Sequence, residues 1–178
     1  MEILSPILWF PNGLGAQPLY TVKLELYART DLVDTWERRI GLRTLTMCVE
    51  KDEWGETFAH VVNGVKVFAM GADYIPEEHL LGKINSAKRR QLLMDAKLAN
   101  FNSIRVWGGG YYPDDEFYDL CDELGLIVWE DFMFACSVYE LTPELKPILH
   151  RNLSTISNVS ATMQALASGA EIMKWNPL

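Results

Sequence analysis

The residues best suited to chemistry gather at the ends of two short apolar runs. Ser103-Ile104-Arg105-Val106-Trp107 leads into Gly108-Gly109-Gly110, and Leu126-Ile127-Val128-Trp129 leads into Glu130-Asp131-Phe132. A guanidinium beside a glycine turn has two readings. It is a structural cation paired with a carboxylate, or it orients a catalytic carboxylate or a substrate hydroxyl through its planar donors. The glycines let the backbone turn sharply and let a ligand come close. They do not make a phosphate loop, because there is no GxGxxG pattern and no Lys-Ser/Thr follows. Trp107, beside that turn, offers a flat apolar wall to a sugar face, whereas Trp129 reads as core packing. Glu130 and Asp131 alternate sides of an extended chain, so at most one enters a site. Asp131 is the candidate, with loop capping or pairing with Arg105 as its alternative.

Other reactive side chains point nowhere specific. Asp114, Asp115, Glu116, Asp119, Asp122 and Glu123 read as a solvated helix face whose acids suit an N-terminal dipole, rather than as a metal site. His60, His79 and His150 are scattered, and Cys48, Cys121 and Cys136 form no CxxC. Neither a metal centre nor a cofactor is expected, and the thiols read as reduced.

The elements that must hold these residues follow from pattern. Tyr20 to Leu26 alternates, with Tyr20, Val22, Leu24 and Leu26 on one face, and Arg39 to Val49 reads as a second strand with a bulge or bend. Asn63-Gly64 between two strand-like runs predicts a hairpin over about 57–70. After Gly71 the period changes. Ser86 can cap a helix to about Asn100, with Leu92, Leu93, Ala96 and Ala99 on one face. Pro113-Asp114-Asp115 starts another, with Phe117, Leu120, Cys121 and Leu124 at helical spacing and Gly125 as its stop. From residue 65 the order is β-α-β-α-β, a parallel α/β sheet. Such sheets place ligands at the C-terminal ends of their strands, here Gly71-Ala72-Asp73, Arg105 to Gly110, and Glu130 to Phe132. Leu153, Ile156, Val159, Met163 and Leu166 predict one more amphipathic helix, in which Asn152 and Asn158 read as ordinary polar positions.

Composition narrows the class. With 49% apolar and 22% charged residues the chain is globular. Its 16 basic and 24 acidic residues give a net charge of −8, which disfavours nucleic acid and anionic membranes as partners. No apolar run approaches the ~20 residues of a membrane span. Met1 to Pro6 lacks the basic start and apolar core of a signal peptide, so the expectation leans towards the cytoplasm. At 178 residues the chain cannot hold a complete (β/α)8 barrel beside another domain, since a barrel alone takes roughly 250.

Phe101 to Gly110, Tyr112 to Gly125 and Ile127 to Cys136, together with Leu8-Trp9-Phe10-Pro11-Asn12-Gly13-Leu14-Gly15, Pro18-Leu19-Tyr20, Arg39 to Arg43 and Val62 to Phe68, resemble the β-mannosidase branch of glycoside hydrolase family 2. The match runs in order over about residues 6–140. The β-galactosidase and β-glucuronidase branches typically carry a Ser-His-Tyr-Pro-like run where this chain has Val106-Trp107-Gly108, so β-galactosidase-like specificity is the less favoured alternative.

The resemblance implies an α/β chain. Residues 1–54 would end an Ig-like β-sandwich, and residues 55–178 would form the N-terminal part of a (β/α)8 TIM barrel. It implies retaining hydrolysis of terminal β-linked mannose, from a β-mannoside or oligosaccharide, by two carboxylates about 5 Å apart. By resemblance Arg105 and Trp107 line the sugar subsite, Asp131 lies near it, and Arg105 supports the nucleophile. The family's acid/base is a Glu preceded by Asn. No Asn-Glu dipeptide occurs here, and Ala165 to Ile172 offers only Glu171 for that position. Glu130 stands where the family often has Gln. The nucleophile's strand would lie beyond Leu178, so the isolated chain is expected to be inactive. The alternative is a non-catalytic folding or binding module that self-associates through exposed barrel edges.

Overall fold

The structure, a computed structural model, describes residues 3–138 and 140–151. Three sheets follow one another along the chain. Strands β1 (Tyr20–Ala28) and β2 (Asp31–Ile40) form an antiparallel hairpin that turns through Arg29, held at φ 60°. Its register slips at Leu26/Tyr27, where a bulge interrupts the ladder. The expected face of Tyr20, Val22, Leu24 and Leu26 exists in this strand, but Leu24 and Leu26 stay exposed to solvent.

The single strand expected over Arg39 to Val49 is two. β2 ends at Ile40, and β3 (Leu45–Cys48) belongs to a different sheet. The break has a packing cause. Gly41 lies against the Trp9 ring and the Arg43 guanidinium, where a Cβ would come within 2.8 Å of the indole. Trp9 N–H also donates to the Leu42 carbonyl. An N-terminal segment therefore occupies the edge along which β2 would have continued.

β3 pairs with β4 (Ala59–Val62), and β4 with β5 (Val65–Val67), all antiparallel. The β3–β4 pairing spans residue 54. The Asn63-Gly64 turn is the expected hairpin, with both residues at positive φ, 50° and 81°. The Asn63 side chain adds two ties, accepting from Thr44 N–H and donating to the Trp9 carbonyl.

The parallel sheet starts later than the sequence pattern suggested. Val65 to Met70 is not its first strand; Gly71–Tyr74 (β6) is, followed by β7 (Ser103–Val106) and β8 (Ile127–Glu130) in the order β6-β7-β8. The reason is a close approach. A Cβ on Gly71 would stand 1.8 Å from the Ser103 carbonyl oxygen, so only glycine allows β6 to enter the ladder there. Asn102, buried, locks the same junction by accepting from Met70 N–H and donating to the Phe68 carbonyl.

Two helices cover one face of this sheet. α1 (Ser86–Leu98) is capped by Asn85 rather than Ser86, through bonds from Ala87 and Lys88 N–H. Its buried positions are Arg89 and Leu93, while Leu92 and Ala99 are exposed. The expected face is thus rotated, because Arg89 is drawn inward by Glu77, Asp114 and Glu116. α2 (Asp115–Leu124) follows the expected pattern. Asp114 caps it, Gly125 ends it at φ 80°, and Phe117, Leu120, Cys121 and Leu124 are buried with Tyr118. These side chains meet Ile104, Val106 and Val128 from the sheet in the larger core. A smaller core of Trp9, Val62, Val67 and Ile127 joins the N-terminal segment, the antiparallel sheet and β8. The result is a mixed α/β segment with three parallel strands and no closed barrel among the described residues.

The acids of α2 are not simply solvated. Arg38 pairs with Asp115, Arg39 with Glu123 at 2.5 Å, and Arg43 with Asp122 at 2.8 Å. Arg43 also lies 4.3 Å over the Trp9 ring, whose Nε1–H donates to the Asp122 carbonyl. Arginines near the end of β2 thus latch the hairpin onto α2.

Candidate functional site

In the parallel register Asp73, Arg105 and Trp129 stand opposite one another, so their side chains share the face that the helices leave bare. Tyr74, Val106 and Glu130 occupy the next rung and face α1 and α2. This alternation separates the two carboxylates at the end of β8. Glu130 points into the helix-covered side, and Asp131, just past the strand, reaches back to the bare one.

Arg105 is held by both neighbours. Its Nε donates to Asp131 Oδ1 at 3.0 Å and its Nη2 to Asp131 Oδ2 at 2.7 Å, a two-pronged pair. Its Nη1 lies 3.3 Å from Asp73 Oδ1. The carboxylate of Asp131, followed by that of Asp73, holds the guanidinium above its ordinary pKa. Asp131 Oδ2 also accepts from Gly108 N–H at 3.3 Å, tying the glycine turn to the end of β8.

The glycine turn is built by contact. A Cβ on Gly108 would meet the Phe132 carbonyl oxygen at 2.3 Å, and one on Gly109 would meet the Trp107 ring at 2.1 Å. The Trp107 indole is therefore folded over Gly109 at the lip of the bare face, half-buried. Trp129 packs instead on the β4–β5 hairpin, 5.5 Å from the Phe58 ring and edge-on to His60 at 6.0 Å. Those aromatics line a groove on the bare side of β8.

Of the residues singled out from sequence, Arg105, Trp107 and Asp131 come together, with Asp131 on the bare side and paired with Arg105, the alternative the sequence offers for it. Glu171 lies outside the described residues. Asp73 was marked only as a strand end, and its partnership with Arg105 is a matter of register that no local signal carries. The described residues bring together no group of three His, Cys, Asp or Glu that could hold a metal ion, and no helix is long and apolar enough to cross a membrane.

The chain is 40% identical over 144 residues, 81% of its length, to Beta-mannosidase B of Aspergillus flavus. It belongs to glycosyl hydrolases family 2. The pattern of that family, Glycosyl hydrolases family 2, matches residues 1–43 directly. Beta-mannosidase B of Aspergillus niger is 41% identical over 144 residues. Among solved structures, Beta-D-Mannosidase from Dictyoglomus thermophilum aligns with a TM-score of 0.78 and 43% identity over 82% of this chain. This family 2 chain spans 17% of the length of the two Aspergillus relatives and 18% of the Dictyoglomus chain.

Proposed function

We propose that this family 2 chain forms the substrate-facing beginning of a β-mannosidase-like glycosidase. In this reading residues 1–54 end an Ig-like β-sandwich and residues 55–178 begin the (β/α)8 barrel. The parent enzyme releases terminal β-linked mannose with retention. The observation that carries the reading is the cluster of Arg105, Trp107 and Asp131 at the C-terminal ends of β7 and β8, in a chain 40% identical to a Beta-mannosidase B. That end of a parallel sheet is where such folds bind ligands. Arg105 orients carboxylates and hydroxyls, Trp107 supplies an apolar wall for the sugar ring, and Asp131 fixes the guanidinium and the glycine turn. Glu171 is assigned the acid/base position.

The isolated chain is assigned no hydrolysis. Retention takes two carboxylates about 5 Å apart, one as nucleophile and one as acid/base. The carboxylates described on the bare face, Asp73 and Asp131, are both engaged with Arg105. Incubating the purified chain with an aryl β-mannoside tests this, with no turnover expected. Chain-dependent turnover that survives Glu171→Gln would overturn the site assignment.

A second reading, a non-catalytic module, draws on the groove beside Trp129, open among the described residues, and on exposed Phe58 and Phe68. Such a surface favours association. Solution mass decides: a dilute monomer counts against it, and a concentration-dependent oligomer supports it.

A further inference from the structure

Glu130 is the residue beside the candidate site that the proposed function leaves unused. It closes β8 one residue before Asp131 and is turned the other way, beneath α2, where it is 4% exposed. Its Oε2 accepts a 2.6 Å hydrogen bond from the Tyr118 hydroxyl. Its Oε1 is buried with no hydrogen-bond partner among the described residues. A buried polar atom without a partner is uncommon in folded proteins and is costly when it carries charge.

Among the described residues, the groups acting on this carboxyl are few. α2 contributes Tyr118 and Cys121, the loop before α2 contributes Tyr112, and β8's own end contributes Asp131. None of them is a cation. Arg105, on the neighbouring strand β7, is on the opposite face and committed to Asp131 and Asp73. An ionised Glu130 would thus sit between an apolar helix face and a second carboxylate, with one hydrogen bond to offset both. A neutral carboxyl leaves only a polar oxygen unpaired.

The position also has a lever. Asp131 follows Glu130 directly and binds Arg105 on one side and Gly108 N–H on the other. The bond to Gly108, at 3.3 Å, is long and easily altered. Admitting water to an ionised Glu130, or turning it towards solvent, must move the end of β8 that carries Asp131.

We infer that Glu130 is a protonation switch beneath the candidate site, whose neutral form holds Asp131 in its two-sided contact with Arg105 and Gly108 and whose ionised form loosens it. The titration falls in a useful range. Burial, first, and the neighbouring charge of Asp131 push the carboxyl up to about 7, against a partial downward pull from the Tyr118 hydroxyl. The inference does not depend on mannoside chemistry, since it concerns the cluster's geometry in the free chain.

The test is a carbon- and nitrogen-detected NMR titration of the full 178-residue chain. The Glu130 carboxyl carbon, the Gly108 amide and the Arg105 Nε–H are followed from acid to mildly alkaline pH. The inference expects all three to move together with a midpoint about 7. Glu130→Gln, which keeps shape and removes the proton, should abolish the movement at Gly108 and Arg105. Should that variant fold poorly, Tyr118→Phe serves: losing the donor to the ionised form should raise the shared midpoint. A Glu130 carboxyl that titrates near its ordinary 4.5 would overturn the inference. So would a carboxyl that titrates near neutrality while Gly108 and Arg105 stay still.

Discussion

Replacing Arg89 with methionine should destabilise the chain by about 3–5 kcal/mol, more than half of it from one stranded carboxylate. Arg89 is 1% exposed and binds three acids from two segments, Glu77 ahead of α1 and Asp114 and Glu116 at the start of α2. Its Nε donates to Glu77 Oε1 at 3.1 Å, and Nη1 contacts Asp114 and Glu116. The partners are not equivalent. The Asp114 and Glu116 side chains are 61% and 44% exposed, so water takes over their solvation and each loses no more than about 1 kcal/mol. Glu77 is 9% exposed, shares its Oε1 with the Tyr74 hydroxyl, and has no partner on Oε2 among the described residues. Methionine fills the volume but takes away the guanidinium, leaving Glu77 with the Tyr74 hydroxyl alone. In urea unfolding followed by far-ultraviolet circular dichroism, with a slope of about 2 kcal/mol per molar, the midpoint should fall by about 2 M. The double variant Arg89→Met/Glu77→Gln should recover more than half of that loss. A single variant losing less than about 1 kcal/mol, or a double variant no better than the single, would refute the assignment of Glu77 as the costly partner.

Further outcomes follow from the same contacts. Because the folded Glu130 value of about 7 lies above its ordinary 4.5, the folded chain holds more protons than the unfolded one between those values. Its contribution to stability is therefore full in acid and declines as pH rises through that window, by about 3 kcal/mol in all. Denaturation at a series of pH values should show the decline in the wild type and a flatter profile in Glu130→Gln. Gly71→Ala should separate β6 from β7, since the added carbon would stand 1.8 Å from the Ser103 carbonyl oxygen; faster hydrogen exchange at the Trp107 amide, which donates to the Tyr74 carbonyl across the two strands, would report it. Asn102→Ala should lose about 2–4 kcal/mol, because the Met70 N–H and Phe68 carbonyl lose their side-chain partner in a buried place; thermal unfolding measures this.

Legibility in the sequence tracked how local each cause was. The extent and buried face of α2 are legible, because its start at Asp114-Asp115, its apolar spacing and its Gly125 stop lie within a dozen residues. The Asn63-Gly64 hairpin was readable for the same reason. The break after Ile40 was not, since it depends on Trp9 covering Gly41 from thirty-odd positions away. Nor was the late start of the parallel sheet, which depends on the approach of Gly71 to Ser103. The rotated face of α1 came from carboxylates at 77, 114 and 116, and no period on the helix itself announces them. At the candidate site, residue types and strand ends pointed to Arg105, Trp107 and Asp131. Asp73 entered only through register, and the pairing of α2's acids with Arg38, Arg39 and Arg43 only through the packing of the hairpin.

Arg105, Trp107 and Asp131 are proposed above as the sugar-facing floor of a β-mannosidase-like site. Titrating the isotope-labelled chain with methyl β-D-mannoside, and mapping amide and side-chain shifts, tests it most directly. Saturable shifts are expected at the Trp107 indole, the Arg105 Nε–H and the Gly108 to Gly110 amides, weakened by Trp107→Ala. Shifts centred on the Phe58, His60 and Trp129 groove instead, or none at the strand ends at millimolar sugar, would contradict it.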